Sequence, residues 1–180
     1  MQPESFARWS PGASRKRAEF IIRPGAERDV AACARLVVAL GAGEKAAWQQ
    51  TLTRTVRDGA RRALFVAEAR GQVVGYGRVV CIEADPKAEG AAPAGWYLLG
   101  LVVDQAWRRR GIGEALTTAR MAWVAERADR IYYFTAPGNR VSRELHQRLG
   151  FAPLPGTWVP PGGSPEDAQR QRFYCAPLTS

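Results

Sequence analysis

The stretch from residue 101 to residue 114 reads Leu-Val-Val-Asp-Gln-Ala-Trp-Arg-Arg-Arg-Gly-Ile-Gly-Glu, and it decides the fold. It follows an almost continuous apolar run from Trp96 to Val103, which is typical of a central strand buried on both faces. After the two glycines, apolar residues recur at helical spacing as far as Trp123. The stretch therefore predicts a buried strand, a tight basic loop and a helix, in that order.

The loop between this strand and this helix suits an anion. The first turn of a helix presents backbone N–H groups that have no intrahelical partner, together with the positive end of the helix dipole. Gly111 and Gly113 lack a side chain that would hold a phosphate away, and the arginines from Arg108 to Arg110 add charge-assisted hydrogen bonds. No Gly-Lys-Ser/Thr follows, and arginines occupy the turn, so neither a Walker loop nor a dinucleotide fingerprint is present. The alternative is a solvated basic turn.

The rest of the sequence predicts a single α/β domain built around a mixed sheet. Strands and helices alternate on both sides of the central strand, which favours helices on both faces of one sheet. The predicted elements are a strand over 18–23, helices over 29–41 and 44–56, a hairpin of strands 64–68 and 73–82, a strand over 130–135, a helix that ends at Gly150, and closing strands over 151–159 and 170–178.

Composition limits the class of protein. The chain has 180 residues, of which 46% are hydrophobic and 24% charged, and this is the balance of a globular domain. No apolar run reaches the length of a membrane span, so we expect a soluble, cytoplasmic protein. Residues 1–17 carry prolines and a basic cluster without apolar periodicity, and we interpret them as a flexible basic arm before a domain at 18–180.

Net charge and cysteine content narrow the choice of binding partners only slightly. The net charge of +9 favours anions such as nucleic acid, acidic headgroups or a phosphorylated cofactor, without choosing among them. The three cysteines, Cys33, Cys81 and Cys175, are scattered, and one histidine joins them, so no metal site is expected. Cys33 falls on the apolar stripe of its helix, and Cys81 and Cys175 lie in β-type runs, so all three are predicted to belong to the core.

The pattern Arg108-x-x-Gly111-x-Gly113 between a strand and a helix resembles the acetyl-coenzyme A motif of the GNAT superfamily of N-acetyltransferases. Two further pieces agree: Ile-Arg-Pro at residues 22–24, and Asn-x-x-Ser-x-x-Leu-His-x-x-Leu-Gly-Phe at residues 139–151. The sequence departs from the family in having Gln105 where proline is usual and Arg109 where glycine is frequent. Both precede the expected phosphate-binding amides, so we expect an altered loop conformation and retained binding.

The resemblance implies a GNAT-like mixed sheet and a reaction in which a primary amine attacks the thioester of acetyl-CoA directly. It implies that the backbone of Leu101 to Val103 pairs with the pantetheine arm, and that the N–H of Val102 or Val103 stabilises the oxyanion. Asn139 is either a pantetheine contact or a helix cap, or both. The implied cofactor-binding residues are Leu101, Val102, Val103, Arg108, Arg109, Arg110, Gly111, Ile112, Gly113, Glu114, Asn139, Ser142 and His146.

Proton transfer requires further groups. A free aliphatic amine with a pKa of about 10.4 is mostly protonated at neutral pH, so a general base or a water chain must deprotonate it. Glu68 and Glu83 lie on or beside the hairpin strands and are the candidate bases; for each, the alternative is a solvated surface carboxylate. His146 stands where the family often has tyrosine, and it is either the acid that protonates the leaving thiolate or a packing residue.

The acceptor is not fixed by the sequence. Trp48, Trp96 and Tyr97 are candidates to line its site, with ordinary core packing as the alternative. Residues 83–89 carry three acids and one lysine, which suits a cationic amine such as a polyamine or an aminoglycoside, an antibiotic class that some GNAT proteins modify. The net charge of +9 opposes encounter with a polycation.

Three functional hypotheses follow. The favoured one is a small-molecule N-acetyltransferase, for which the GNAT resemblance implies a homodimer. The second is an N-acetyltransferase of peptides or proteins. The third belongs to another class, a non-catalytic module that senses acyl-CoA or binds nucleic acid; the cofactor already explains the arginines, which makes nucleic acid the weaker choice.

Overall fold

The structure is a computed structural model that describes residues 19–83 and 90–178. The predicted arm at 1–17 and most of the acidic stretch at 83–89 lie outside the described residues. The strands are β1 Ile21–Pro24, β2 Arg62–Ala69, β3 Gln72–Ile82, β4 Gly95–Val103, β5 Arg130–Thr135, β6 Ala152–Pro153 and β7 Arg172–Pro177. The α-helices are α1 Val30–Val38, α2 Lys45–Arg57, α3 Ile112–Ala125 and α4 Arg140–Arg148.

The described chain divides into two compact units. The first contains residues 19–80 and 98–120, and the second contains residues 81–83, 90–97 and 121–178. The strand order is β1-β2-β3-β4 in the first unit and β4-β5-β7-β6 in the second, with β4 contributing residues to both. The predicted fold class, a mixed sheet with α-helices, is confirmed.

The first unit is built on antiparallel strands and two amphipathic helices. Arg70 and Gly71 form a two-residue hairpin turn, and both have positive φ angles (51° and 71°), as a tight hairpin that matches the twist of its strands requires. Cys33 on α1 is fully buried, as predicted, in a core that packs both helices against the strands. Its buried members are Val30, Cys33, Ala34, Val37, Leu52, Leu64, Val66, Tyr76 and Val102.

The second unit is held together by stacked aromatic rings. β5 pairs with β7 along its whole length in antiparallel register, and it pairs in parallel with the start of β4 at Tyr97 and Tyr132. Tyr97 stacks on Tyr132, with ring centroids 5.2 Å apart. Tyr133 stacks on Tyr174 at 4.8 Å. These pairs bury large apolar areas where the sequence supplies few aliphatic residues.

Three predictions about local structure are wrong. The closing strand expected over 151–159 is reduced to Ala152–Pro153, because Pro153 and Pro155 have no N–H to donate to a ladder. β4 is buried on both faces only in its first half, since Gly100 is exposed. Cys81 and Cys175 are partly exposed and lie outside the buried core.

No α-helix among the described residues is long and apolar enough to cross a bilayer.

Candidate functional site

The basic loop is fastened to the strands that precede it. The backbone N–H of Asp104 donates to the carbonyl of Val74 on β3 (2.8 Å), and the carboxylate of Asp104 accepts from the N–H of Ala106 (2.8 Å). The Nε of Arg108 reaches back to the carbonyl of Val103 at the end of β4 (3.2 Å). Both ends of the turn are therefore fixed before the chain enters α3.

Two residues of the loop adopt left-handed backbone conformations, Arg109 with φ of 62° and Gly111 with φ of 84°. This conformation costs an L-residue with a side chain about 1–2 kcal/mol and suits glycine, so the position of Arg109 has the geometry expected where the family frequently has glycine. A Cβ built on Gly111 meets no described atom within 4 Å. The space above Gly111 is thus open to a ligand.

The amides at the start of α3 point away from protein acceptors. The first helical hydrogen bond of α3 is from Ala115 to the carbonyl of Gly111 (3.0 Å). Within the part of the chain that the structure describes, no backbone N–H from Arg109 to Gly113 donates to a protein oxygen. A diphosphate satisfies such a row of donors at a helix N-terminus, so these residues fit the diphosphate of coenzyme A.

The ring of Trp107 contacts two arginines beside the loop. The Arg110 guanidinium lies 5.0 Å from the centroid of the Trp107 ring, and that of Arg70, from the hairpin turn, lies 5.9 Å from it. Cation–π contacts of this kind hold a positive charge in place without neutralising it. Sequence reasoning missed both Trp107 and Arg70, because their proximity depends on the hairpin.

The backbone of β4 beside this loop has an irregular centre. Gly100 has φ of 57°, a left-handed value inside a strand, so the peptide groups around it leave the regular ladder. Val102, two residues further on, is buried in the core with α1 and α2, whereas Leu101 and Val103 are half-buried. The segment implied to hold the pantetheine arm therefore starts at a break in strand geometry.

The distal residues lie together in the second unit. The side-chain oxygen of Asn139 accepts from the N–H of Ser142 (3.2 Å), which confirms its helix-cap role. His146 is 3% exposed, and its Nδ1 lies 2.8 Å from the carbonyl oxygen of Ser142. A carbonyl only accepts hydrogen bonds, so Nδ1 carries a proton and the neutral ring has its lone pair on Nε2.

His146 also belongs to an aromatic stack. Its ring lies parallel to that of Tyr133 at a centroid distance of 3.8 Å and meets Phe151 edge-on at 5.2 Å. Burial raises the pKa of Tyr133, and its hydroxyl has no hydrogen-bond partner among the described atoms. This packing supports the structural interpretation of His146 and leaves its acid role a prediction.

The two candidate bases have different surroundings. Glu68 accepts from the Nε of Arg23 (2.8 Å), and the same guanidinium contacts both carboxylate oxygens of the buried Asp29 at 2.7 and 2.8 Å. Glu68 thus serves an ion-pair cluster that joins β1 to β2, and β3 separates β2 from β4. Glu83 follows β3 directly and is exposed.

The three aromatic candidates for the acceptor site also differ. Tyr97 is fully buried, its hydroxyl donates to the carbonyl of Pro93, and Trp96 packs edge-on against Trp123, so both have the surroundings of core residues. Trp48 on α2 is half-buried and donates to the carbonyl of Ala42. The Arg78 guanidinium lies 5.7 Å from the centroid of the Trp48 ring.

Sequence reasoning missed two arginines inside the first unit, the half-buried Arg78 on β3 and the buried Arg120 on α3. Arg120 is 1% exposed and donates to the carbonyls of Leu116 (3.1 Å) and Arg78 (3.2 Å) and to the Thr117 hydroxyl (2.9 Å). Burial, with the nearby charge of Arg78, lowers the pKa of Arg120 to about 9. A signal was present: each arginine interrupts an apolar pattern.

Solved structures share this fold across almost the whole chain. A ribosomal-protein-alanine N-acetyltransferase from Brucella melitensis is 23% identical, with a TM-score of 0.66, over 88% of this chain and 99% of that one. An acetyltransferase of the GNAT family from Streptococcus pneumoniae is 16% identical, with a TM-score of 0.63, over 89% and 100%. An aminoglycoside 6'-acetyltransferase type Ii is 18% identical, with a TM-score of 0.63, over 89% and 98%. These similarities establish the fold.

No curated protein sequence matches the chain. The family model for the acetyltransferase (GNAT) family matches residues 35–151, which is more than half of the chain and includes β4, the basic loop and α4. The match confirms the resemblance seen in the sequence. The chain belongs to the acetyltransferase (GNAT) family and is an acetyl-CoA-dependent N-acetyltransferase.

Proposed function

We propose that this protein transfers the acetyl group of acetyl-CoA to the primary amine of a small molecule by direct attack of the amine. The observation that carries the proposal is the row of backbone N–H groups from Arg109 to Gly113, which have no acceptor among the described residues and face an open space at Gly111. Acetyl-CoA supplies an activated acyl group and a thiolate leaving group.

The residues of the basic loop and of β4 bind acetyl-CoA and orient its thioester. The amides from Arg109 to Glu114 hold the diphosphate, and Arg108 and Arg110 add positive charge beside it. The backbone of Leu101 to Val103 holds the pantetheine arm in an extended conformation. The N–H of Val102 or Val103 donates to the developing oxyanion, which is the largest single electrostatic contribution expected from the chain itself.

Proton transfer is assigned to two side chains. Glu83 is our preferred base, because it is exposed and directly follows β3, the strand beside β4, whereas Glu68 lies on β2, one strand further from β4. His146 is proposed to protonate the thiolate as an imidazolium: Nδ1–H stays bonded to the Ser142 carbonyl, and the proton on Nε2 passes to sulfur and leaves the neutral ring. Asn139 caps α4 and thereby fixes the helix that carries His146.

The acceptor class stays open to two alternatives. One solved structure with this fold is an aminoglycoside 6'-acetyltransferase, which supports a small-molecule acceptor, and a cationic one fits the acidic stretch at 83–89. Another is a ribosomal-protein-alanine N-acetyltransferase, which supports a peptide or protein N-terminus as the second candidate. We further propose that the protein is located in the cytoplasm and that it forms a homodimer.

An amine screen tests the proposed function. Release of the coenzyme A thiol is measured with acetyl-CoA and a panel of aminoglycosides, polyamines, amino acids and short peptides, and calorimetry measures the binding of acetyl-CoA and of duplex DNA. We expect saturable binding of acetyl-CoA and turnover with at least one small amine. Binding of DNA with a steep salt dependence, and no binding of acetyl-CoA, would contradict the proposal.

A further inference from the structure

Arg78 differs from the other buried or half-buried arginines of the first unit. Arg23 pairs with Asp29 and Glu68, Arg62 pairs with Asp58, and Arg120 donates to two carbonyls and a hydroxyl. In the described ranges, Arg78 has no carboxylate within 4 Å, and its buried Nε has no hydrogen-bond partner. A guanidinium in this position lacks the anion that normally offsets its desolvation.

The neighbours of Arg78 increase the local positive charge. Arg120 donates to the main-chain carbonyl of Arg78 from within the core, and Arg62 is close enough to act on Arg78 electrostatically. Burial lowers the pKa of Arg78, and the charge of Arg62 lowers it further. The contact with the Trp48 ring, at 5.7 Å, compensates this only in part, because an aromatic face is a weaker partner than a carboxylate.

The Arg78 guanidinium packs over Gly100, and Arg78 as a whole is half-buried and so keeps part of its surface exposed. A Cβ built on Gly100 lies 3.3 Å from the Nε of Arg78 and 3.8 Å from its Nη2, so any side chain there would cover Arg78. Gly100 itself is exposed, and its φ of 57° turns the backbone away from the regular strand. The phenol ring of Tyr76, whose buried hydroxyl also lacks a described partner, lies 3.9 Å from the same point.

The position is within reach of the proposed reaction centre. Gly100 and Val102 are two residues apart on β4, so they are separated by at most about 7 Å along the chain. Val102 belongs to the core formed with Tyr76, α1 and α2, and Trp48 packs against that core. A small molecule held at Arg78 by one end therefore has its other end near the Val102 N–H.

We propose that the half-buried Arg78, which lies over Gly100 and beside Trp48, binds a carboxylate on the acceptor, so that the acceptor is an amino acid or a similar amino-carboxylate. The inference rests on the proposed acetyl transfer. The planar guanidinium suits a carboxylate, with which it forms two parallel hydrogen bonds. A polyamine, by contrast, would bring positive charge against Arg78 and Arg120.

Kinetics with matched acceptors test the proposal. Thiol release gives kcat/KM for alanine, methionine, glutamate and lysine and for the corresponding amides, with the wild type, Arg78→Met, Arg78→Lys and the control Arg35→Gln, which removes an exposed charge from α1. We expect the wild type to prefer at least one acid over its amide tenfold or more. Arg78→Met should lose about 100-fold on that acid and less than about threefold on the amide.

The variants keep this result interpretable. An acid and its amide differ in the pKa of their amine. This difference is the same for every variant, so it cancels when the acid-to-amide ratio of kcat/KM is compared between the wild type and a variant. Arg78→Lys keeps the charge without the fork and should fall between the wild type and Arg78→Met, while Arg35→Gln should match the wild type on both acceptors. Equal losses on acid and amide in Arg78→Met, or no acid preference in the wild type, would overturn the proposal.

A binding measurement separates this proposal from the proposed function. Thermal unfolding is followed with N-acetyl-alanine, N-acetyl-methionine and their amides, which are probes that need no turnover. An increase in the Tm of the wild type with the acids alone, absent in Arg78→Met, supports the carboxylate site even if no amine is acetylated. Acetylation of amines without any such Tm increase or acid preference would overturn the carboxylate site and leave the proposed function standing.

Discussion

The Nη1 of Arg120 donates to the main-chain carbonyl of Arg78 at 3.2 Å, so a buried guanidinium on α3 is hydrogen-bonded to the strand that carries Arg78. Gly77, the residue before Arg78, makes this contact possible. A Cβ built on Gly77 lies 2.8 Å from both the Cζ and the Nε of Arg120. The absence of a side chain at Gly77 therefore lets α3 place an arginine against β3.

We predict that Gly77→Ala destabilises the protein by about 1–3 kcal/mol, because Arg120 is buried and held by three acceptors. In an Arg120→Ala background the same substitution should cost at least about 1 kcal/mol less, since the clash is gone. Urea unfolding of the four proteins in this double-mutant cycle measures the difference. If Gly77→Ala lowers the free energy of unfolding equally in both backgrounds, the added methyl group does not clash with Arg120 and the explanation is wrong.

Gly111→Ala is predicted to weaken acetyl-CoA binding tenfold or more, because its methyl group projects into the open space beside the loop amides. The fold should lose only the roughly 1 kcal/mol expected for a left-handed alanine. Gly71→Ala is the matched control, with a similar φ of 71° and no described atom within 4 Å of the added Cβ. Calorimetry with acetyl-CoA should show unchanged affinity in Gly71→Ala; an equal loss in both variants would contradict the assignment.

His146→Phe should lower kcat about 100-fold while changing the Kd for acetyl-CoA much less, because general acid catalysis is lost and the stack on Tyr133 is kept. Steady-state kinetics at saturating acetyl-CoA and calorimetry give the two quantities. Gln147→Ala, which changes the exposed neighbour of His146 on α4, is the control and should keep both quantities. Unchanged kcat in His146→Phe would leave His146 with a packing role only.

Asp29 should make the protein sensitive to acid. The hydrogen bonds from Arg23 hold the pKa of Asp29 below its usual value, so its contribution to stability is present above about pH 4 and is lost as the pH falls further. Asp29→Asn should cost about 3 kcal/mol at pH 6 and progressively less towards pH 2. Denaturant unfolding across this range measures the difference, and a pH-independent cost would contradict the ion-pair explanation.

The sequence predicted most elements because their patterns are local. Apolar residues at helical spacing define α1 and α2, and the glycine of the hairpin turn separates β2 from β3. The loop at residues 108–113 was recognisable because its glycines and arginines are adjacent in the chain. In contrast, the pairing of Glu68 with Arg23 joins residues 45 positions apart, so no local pattern revealed it.

The buried Arg120 shows where sequence reasoning fails. Arg120 follows Leu116 by four residues and precedes Val124 by four, so a helical pattern places it on the apolar stripe. A charge at such a position is costly unless it is paired, and a sequence does not identify the partners of Arg120, which are two backbone carbonyls and the Thr117 hydroxyl. For the same reason, the sequence did not indicate that the exposed Gly100 lies against the Arg78 side chain.

Titration of the ¹⁵N-labelled protein with acetyl-CoA, followed by the amide resonances of Arg109 to Gly113, tests the binding of the diphosphate most directly. We predict large downfield shifts of these amides with acetyl-CoA, and small shifts with acetyl-pantetheine, which lacks the diphosphate. If acetyl-CoA binds and the amide resonances of Arg109 to Gly113 do not shift, the diphosphate is held elsewhere and the proposed site is wrong.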